Sequence, residues 1–195
     1  YTTAGQINGS LALGDVDTNG TMDVVGCSDK VYALNGNDGS VIWAFTSTPI
    51  ESFNSSPAIA DVVLGGSPEV IVTCDNGKVY CLDGVTGVDV WSYTIINTTE
   101  NFWASPVVGD VNGDGQPDVV VVTPAAFNNS GGRVVALNGN TGTAIWTYTN
   151  LSFTWDIIPQ SPVIADINLD CIMDVLAPQG GDLYIINGSN GAFLD

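Results

Sequence analysis

Short apolar runs, separated by turns rich in Gly, Asn and Asp, cover most of the chain. The runs at 119–122 and 134–137 are only four residues long and are dominated by valine. Such runs are typical of strands, and no stretch shows the 3.6-residue apolar period of a helix. Because consecutive positions are apolar, the sheets should be covered on both faces. The pattern predicts an all-β protein.

The clearest single turn signal is the segment 75–78, Asp-Asn-Gly-Lys. Asn-Gly favours a type I′ turn, because both central residues of that turn need positive φ. The sequence therefore predicts a hairpin with a two-residue turn at Asn76 and Gly77.

A second motif recurs four times. It begins with a short apolar strand, continues through Asn-Gly or Asp-Gly to a second Gly three residues later, and ends in Trp in three copies. The copies occupy residues 31–43, 79–91, 134–146 and 183–195. Each follows an acidic segment, and these segments begin at residues 15, 61, 110 and 166. Repeats of about 20–50 residues are characteristic of solenoids, propellers and arrays.

Each repeat predicts four short strands, so we expect a β-propeller of four four-stranded blades in a single domain, residues 1–195. The blades would occupy approximately residues 10–55, 56–104, 105–160 and 161–195, the last completed by residues 1–9. Asp195 stands where the first copy has Trp43, and Tyr1 lies about where an outer strand should finish. Closing the ring in this way removes exposed strand edges.

Two alternatives to the closed ring stay open. The chain can be half of an eight-bladed ring, or a subunit of an open polymer, formed by a head-to-tail contact between copies. It can also be a piece of a larger propeller.

Three of the acidic segments are nine-residue loops with oxygen-bearing side chains at positions 1, 3, 5 and 9. Calcium takes about six to eight oxygen ligands, and such a loop can direct four side chains and the position-7 carbonyl to one point. Solvated acidic turns are the alternative, but the threefold recurrence favours Ca²⁺. The candidate ligands are Asp15, Asp17, Asn19, Thr21 and Asp23 in loop one, Asp110, Asn112, Asp114, Gln116 and Asp118 in loop three, and Asp166, Asn168, Asp170, Ile172 and Asp174 in loop four.

The loops are not equivalent. Loop two, residues 61–69, has no side-chain oxygens at positions 3 and 5 and is expected to bind no metal. Loops one and three have Gly at position 6, where the turn is sharp, whereas loop four has Cys171. Loop four should therefore bind no more tightly than they do. Soft-metal sites are not expected, because the chain has no His and no paired Cys spacing.

The loops resemble the calcium loops of FG-GAP/VCBS-type β-propellers, the repeat also found in integrin α-subunits. The half of the repeat that ends in Trp resembles the blades of quinoprotein-type (PQQ-like) propellers, in which the Trp docks between neighbouring blades. Together the two patterns cover nearly the whole chain. The resemblance implies a propeller with bound Ca²⁺ more than any activity, because propellers host binding proteins and enzymes alike. Loop two, Cys171 and the absent fourth Trp depart from the family pattern.

The charge of the chain limits its partners. It carries 3 basic and 21 acidic residues, a formal net charge of −18. Such a surface cannot neutralise phosphates, which argues against nucleic-acid and acidic-lipid partners, and no apolar segment is long enough for direct membrane insertion. We expect a homo-oligomer or polymer, with a glycan or a cell-surface protein as further partners.

Seven Asn-x-Ser/Thr sequons and loops suited to the high calcium level outside cells predict an extracellular or cell-surface glycoprotein. Asn19 is a candidate metal ligand and is therefore left out of the glycosylation sites. The remaining candidate glycosylation sites are Asn8, Asn54, Asn97, Asn128, Asn150 and Asn187. The four cysteines allow three full pairings. Cys27–Cys74 is the preferred disulfide, because these residues end equivalent strands, and four buried free thiols are the alternative.

The chain has no His for general acid–base chemistry, and no nucleophile elbow or phosphate loop. We therefore expect no enzyme, but a secreted or cell-surface calcium-binding propeller with a structural or adhesive role that can self-assemble. One alternative is a carbohydrate-binding, lectin-like module, in which Phe102, Trp103, Phe153 and Trp155 would stack on sugars. A polysaccharide-degrading enzyme is a more distant alternative.

Overall fold

The computed structural model describes residues 1–95, 104–123, 132–151, 160–179 and 181–194. Every regular element in these residues is a strand, and the strands form four antiparallel sheets in which each strand pairs with the next along the chain. The described part of the chain contains no helix that is long and apolar enough to span a membrane. The prediction of an all-β fold made of successive blades is confirmed.

The sheets follow the sequence repeats. Sheet one contains β1 (Ala12–Gly14), β2 (Asp23–Cys27), β3 (Val31–Leu34) and β4 (Val41–Phe45). Sheet two contains β5 (Ala58–Ala60), β6 (Glu69–Cys74), β7 (Lys78–Asp83) and β8 (Asp89–Thr94). Sheet three contains β9 (Val107–Gly109), β10 (Asp118–Thr123), β11 (Gly132–Leu137) and β12 (Ala144–Leu151). Sheet four contains β13 (Val163–Ala165), β14 (Asp174–Gln179) and β15 (Asp182–Ile186). Three sheets thus have the predicted four strands, and in the described residues the fourth has three.

The central strands carry the core. All residues of β6 and β10 are buried, as expected for apolar strands covered on both faces. The outer strand β8 is mostly exposed or half-buried. The acidic loops connect the first and second strands of each sheet, so each loop is anchored on a buried strand.

The chain divides into two compact units, Tyr1–Trp103 and Ala104–Asp195. The first unit holds sheets one and two, whose buried side chains form one cluster that includes Val25, Val72 and Trp43. The second unit holds sheets three and four, with a corresponding cluster around Trp146. Residues 1–9 form no strand, so completion of the fourth blade by this segment, like the single domain over 1–195, stays a prediction.

The hairpin between β6 and β7 differs from the predicted turn. Cys74 pairs with Lys78, which leaves a three-residue loop. The Gly77 N–H donates to the Cys74 carbonyl (3.0 Å), and Gly77 is the only residue of the loop with positive φ. The predicted two-residue type I′ turn is wrong, because one left-handed glycine after a tight turn closes the hairpin with a bulge.

Candidate metal sites in three acidic loops

Loop one connects β1 to β2 and wraps around the carboxylate of Asp15. The two oxygens of this carboxylate accept hydrogen bonds from the backbone N–H groups of Asn19 (2.9 Å) and Gly20 (2.8 Å). The side chain of Asp17 also accepts from Asn19 N–H (3.2 Å), and the Asn19 side chain accepts from the N–H of Thr21 (2.8 Å). Asp and Asn favour such local bonds to the backbone. Together they hold positions 1, 3 and 5 in one compact turn.

Loops three and four repeat this geometry. In each loop, the position-1 carboxylate accepts hydrogen bonds from two backbone N–H groups. Gly113 and Gly115 donate to Asp110 in loop three. Asp170 and Cys171 donate to Asp166 in loop four. The position-3 side chains, Asn112 and Asn168, each donate to the carboxylate of the position-5 residue. They also accept a hydrogen bond from the backbone N–H of that residue. The position-7 residues, Gln116 and Ile172, donate their N–H to that same carboxylate. The three loops therefore share one fold.

Positions 4 and 6 of all three loops have left-handed backbone conformations. Loop three has glycine at both, Gly113 and Gly115, whereas the other loops hold Thr18, Leu169 and Cys171 at φ values of 58°, 62° and 69°. For residues with a Cβ this conformation costs about 1–2 kcal/mol each. The sharp turn predicted at position 6 is present in all three loops, at a strain cost in loop four.

In loop one the ligand atoms of Asp15, Asp17 and Asp23 all lie within 4.8 Å of one another. Elsewhere in the described residues, no three His, Cys, Asp or Glu side chains are grouped so closely. Loops three and four have Asn in place of Asp17, so the equivalent positions hold two carboxylates and an amide. Carboxylates at such distances repel one another, and a bound cation reverses the repulsion.

The position-9 side chain has a structural role that the sequence analysis missed. Asp23, Asp118 and Asp174 are buried, and each accepts the backbone N–H of position 2 at 3.0–3.2 Å. Asp23 and Asp174 also accept the N–H of Gly36 and Gly188, in the turn after the third strand (3.2 Å each). In loops one and four the position-9 carboxylate therefore ties its loop to the glycine turn of the same sheet.

Asp118 differs from its two counterparts. Its Oδ1 is buried and makes no hydrogen bond of standard geometry with the described residues, although the nearby Gly139 N–H favours its charged form. Burial and, to a smaller extent, the charges of Asp114 and Asp110 raise the pKa of Asp118 to about 6, although the hydrogen bond from the Val111 N–H lowers it. A buried carboxylate oxygen with a vacant lone pair, beside two further carboxylates, fits a hard divalent cation.

Loop two keeps the hydrogen bonds made by the position-9 carboxylate but lacks side-chain oxygens at positions 3 and 5. The Glu69 carboxylate is buried and accepts the N–H groups of Val62 (2.9 Å) and Val63 (3.0 Å). Asp61, at position 1, is exposed. An acidic residue at position 9 therefore serves folding even where positions 3 and 5 carry no oxygens. Its recurrence in all four repeats was the signal that could have revealed this role.

A Trp in each unit joins one sheet to the next. Trp43 Nε1 donates to the Gly84 carbonyl (2.6 Å), and Trp146 Nε1 donates to the Gly188 carbonyl (2.5 Å). A Cβ on Gly84 would lie 2.1 Å from the Pro68 carbonyl oxygen, and one on Gly188 would lie 1.9 Å from that of Met173. Only glycine fits there. The expected docking of Trp between neighbouring blades is confirmed within each unit.

The predicted glycosylation sites lie in different environments. Asn8 is exposed and donates to the Asn54 side chain (2.7 Å). Asn54 is half-buried, and its own amide donates to Asp75 (2.6 Å). Asn187 is buried and accepts both the N–H and the O–H of Ser189, so its sequon coincides with a structural turn. Of these three, Asn8 is the most accessible acceptor.

Several predicted residues cannot be placed in this way. Asn150 lies at the end of β12. The sequons at Asn97 and Asn128 lie outside the described residues, and so do the aromatic candidates for sugar stacking, Phe102, Trp103, Phe153 and Trp155.

The cysteines are all free thiols, so the preferred Cys27–Cys74 disulfide is not present. Both residues are buried in the core cluster of the first unit. Burial raises the pKa of the Cys27 thiol, and nearby Cys74 raises it further, which keeps it protonated and unreactive. Cys81 is also buried, whereas Cys171 is exposed at position 6 of loop four.

The chain resembles solved structures at low identity. BamB from Moraxella catarrhalis matches with a TM-score of 0.66 and 20% identity over 100% of this chain and 51% of that one. The Vibrio cholerae biofilm matrix protein Bap1 matches with a TM-score of 0.58 and 21% identity over 82% and 23%. Quinohemoprotein alcohol dehydrogenase from Comamonas testosteroni matches with a TM-score of 0.61 and 17% identity over 97% and 34%. The chain spans about half the length of the first and less of the others, and these likenesses show the fold.

The sequence comparisons agree with this fold. No curated protein shows significant sequence similarity to the chain. A family model of PQQ-type repeats, described as outer membrane protein assembly factor BamB, matches residues 27–195. This match covers three of the four acidic loops and all three Trp-containing strands. The chain therefore belongs to the PQQ-type repeat family described as outer membrane protein assembly factor BamB.

Proposed function

We propose that the chain is a calcium-binding structural propeller of the cell surface or extracellular space, with an adhesive or assembling role. The observation that carries this proposal is the shared fold of three acidic loops, which in loop one brings Asp15, Asp17 and Asp23 within 4.8 Å. Backbone strain at Thr18, Leu169 and Cys171 supports it, because strained backbone persists where the surroundings or a function require it.

Calcium suits these loops better than other metals. The candidate ligand atoms are oxygens of carboxylates, amides and backbone carbonyls, which hard cations prefer. Cys171 is the only thiol at a loop position, and the chain has no His to complete a soft-metal set. Calcium would supply the positive charge that these acidic loops lack.

A structural role suits the rest of the molecule better than catalysis. Most polar contacts of the described loops are used to hold the backbone, and the buried carboxylates Asp23, Glu69 and Asp174 accept main-chain N–H groups. The chain offers 3 basic side chains and no His, the side chain that most often performs general acid–base catalysis. Likeness to a quinohemoprotein enzyme concerns the fold only.

The location is proposed from two kinds of support. One protein with the same fold, Bap1, is a biofilm matrix protein, and the matching family is described as an outer membrane protein assembly factor. The exposed sequon at Asn8 and the −18 net charge suit a glycosylated, calcium-rich setting. We place the chain outside the cell or on its surface.

Self-assembly is proposed from a repeated aromatic contact. Phe45, the last residue of β4, packs on Tyr80 of sheet two with ring centroids 5.1 Å apart. Tyr148 of β12 packs on Tyr184 of sheet four at 6.2 Å. Tyr1 packs on Tyr32 of sheet one at 5.2 Å, as an outer-strand aromatic of a preceding sheet would. We propose that the fourth sheet of a second copy stands there, and that residues 1–3 complete it.

The metal proposal makes a site-specific prediction. Asp110→Ala should lower the number of bound calcium ions by one, because Asp110 is the position-1 carboxylate around which loop three folds. The matched control is Asp61→Ala, at position 1 of loop two, which should leave the stoichiometry unchanged. Isothermal titration with calcium measures both. Equal stoichiometries for the two variants would refute the assignment of loop three.

The assembly proposal predicts a change in size. Removing residues 1–3 should convert oligomers of the calcium-loaded chain into monomers, because the fourth sheet loses its proposed completing strand. The control is Ile7→Ala, which changes an exposed side chain and should leave the size unchanged. Light scattering after gel filtration gives the masses. A wild-type chain that is monomeric at every concentration would contradict the proposal.

A further inference from the structure

The turn containing Gly84 is a meeting point of two sheets in the first unit. Its carbonyl accepts the indole N–H of Trp43 from sheet one (2.6 Å). A Cβ on Gly84 would lie 2.9 Å from the carbonyl oxygen of Val16, which belongs to loop one. Loop one and Trp43 therefore touch the same turn of sheet two, by backbone and by side chain.

Val16 connects the candidate metal site to the contact between Trp43 and the Gly84 turn. It stands between the candidate ligands Asp15 and Asp17, and its N–H donates to a third, Asp23 (3.1 Å). Val16 is fully buried, and its side chain belongs to the same core cluster as Trp43. The backbone of one buried residue thus lies against the ligands on one side and against Gly84 on the other.

The second unit repeats the arrangement independently. Trp146 donates to the Gly188 carbonyl (2.5 Å), and a Cβ on Gly188 would lie 2.7 Å from the carbonyl oxygen of Val111. Val111 is position 2 of loop three, donates its N–H to Asp118 (3.2 Å) and shares a core cluster with Trp146. In both units, a Trp, a glycine turn and position 2 of an acidic loop thus lie together, although the sequences of the two sheet pairs differ.

We propose that cation binding in loop one and docking of Trp43 on Gly84 are energetically coupled through Val16, and that loop three is coupled to Trp146 and Gly188 in the same way. This inference rests on the proposed calcium function. A cation that fixes positions 1 and 3 of a loop also fixes the peptide units of position 2 between them. The Val16 carbonyl is then held where it supports the Gly84 turn. Coupling between two sites is reciprocal, so a docked Trp must in turn favour cation binding.

The experiment first isolates loop one. In the full chain, Asp114→Ala with Asp170→Ala removes ligands from loops three and four and leaves loop one as the calcium site. On this background Trp43→Phe removes the indole N–H but keeps an aromatic ring. It should weaken calcium binding about fivefold, a typical coupling between linked sites. Trp146→Phe is the matched control and should change the affinity less than about twofold, since its joint belongs to loop three.

The mirror experiment isolates loop three with Asp17→Ala and Asp170→Ala. There Trp146→Phe should weaken calcium binding and Trp43→Phe should not. Such a crossed pattern supports the coupling, because general destabilisation would not follow the loop that is tested. Equal affinities for both Trp variants, or equal losses for both, would overturn it while calcium binding itself stands. No calcium binding in either background, with the far-ultraviolet spectrum unchanged, would overturn the proposed function as well.

A second measurement needs no variant. Amide hydrogen exchange in the wild-type chain, with calcium and with chelator, should show slower exchange at residues 84–87 when calcium is present. Residues 75–77, at the opposite end of sheet two, serve as the internal control and should change less. Equal protection of the two turns, or none at 84–87, would contradict a coupling through Gly84.

Discussion

Replacing Gly84 with alanine should destabilise the chain by about 3 kcal/mol or more, at the upper end of what overpacking costs. The new Cβ would lie 2.1 Å from the carbonyl oxygen of Pro68 and 2.9 Å from that of Val16. Both obstacles are backbone atoms on different loops, so neither can rotate away as a side chain can. Relief requires the turn to move, which breaks the Trp43 hydrogen bond. Urea unfolding followed by circular dichroism and Trp fluorescence measures the loss.

The control for this prediction lies in loop two of the same sheet. A Cβ on Gly66 would meet no atom within 4 Å, and Gly66 has no positive φ. Gly66→Ala should therefore change the free energy of unfolding by less than about 0.5 kcal/mol, as surface substitutions usually do. If Gly84→Ala is as mild as Gly66→Ala, the close approach of loop one to the Gly84 turn is not present in solution.

Removal of calcium should produce the second large effect. A ligand at about 100 times its Kd stabilises a protein by about 2.7 kcal/mol per site. Three independent sites would thus contribute about 8 kcal/mol, and each kcal/mol shifts the melting temperature of such a chain by about 2–4 °C. Excess chelator should therefore lower the Tm by roughly 15–30 °C, and calcium should restore it. Differential scanning calorimetry gives both values.

The matched variant for chelation removes one ligand per loop, with Asp17→Ala, Asp114→Ala and Asp170→Ala combined. Its Tm should respond to neither calcium nor chelator, because each loop has lost a carboxylate that would bind the cation. The buried position-9 carboxylates, which hold the loops in place, remain. Magnesium at the same concentration should raise the Tm of the wild-type chain less than calcium does, because magnesium demands octahedral geometry and gives up water reluctantly. A wild-type Tm that is insensitive to chelator would show that the loops fold without a cation.

The repeat pattern was sufficient for the architecture. The assignment of short segments as strands follows from their local composition, and the spacing of the Asn-Gly and Trp motifs marks each blade. Four successive antiparallel sheets could therefore be predicted from the sequence. The hairpin at 75–77 could not, because Asn-Gly suits both a two-residue and a three-residue turn. The register between Cys74 and Lys78, which is set by packing of the whole sheet, decides between them.

The candidate site was predicted only in part. The sequence by itself determined which residues carry oxygens and at what spacing, because loop chemistry depends on neighbours a few residues apart. It could not reveal that Asp23 and Asp174 hold Gly36 and Gly188, or that Asn187 is buried within a turn. Those facts depend on residues brought together from distant parts of the chain. Tertiary structure alone decided that Gly84 lies against both Val16 and Trp43, because that contact exists only when two sheets pack on each other.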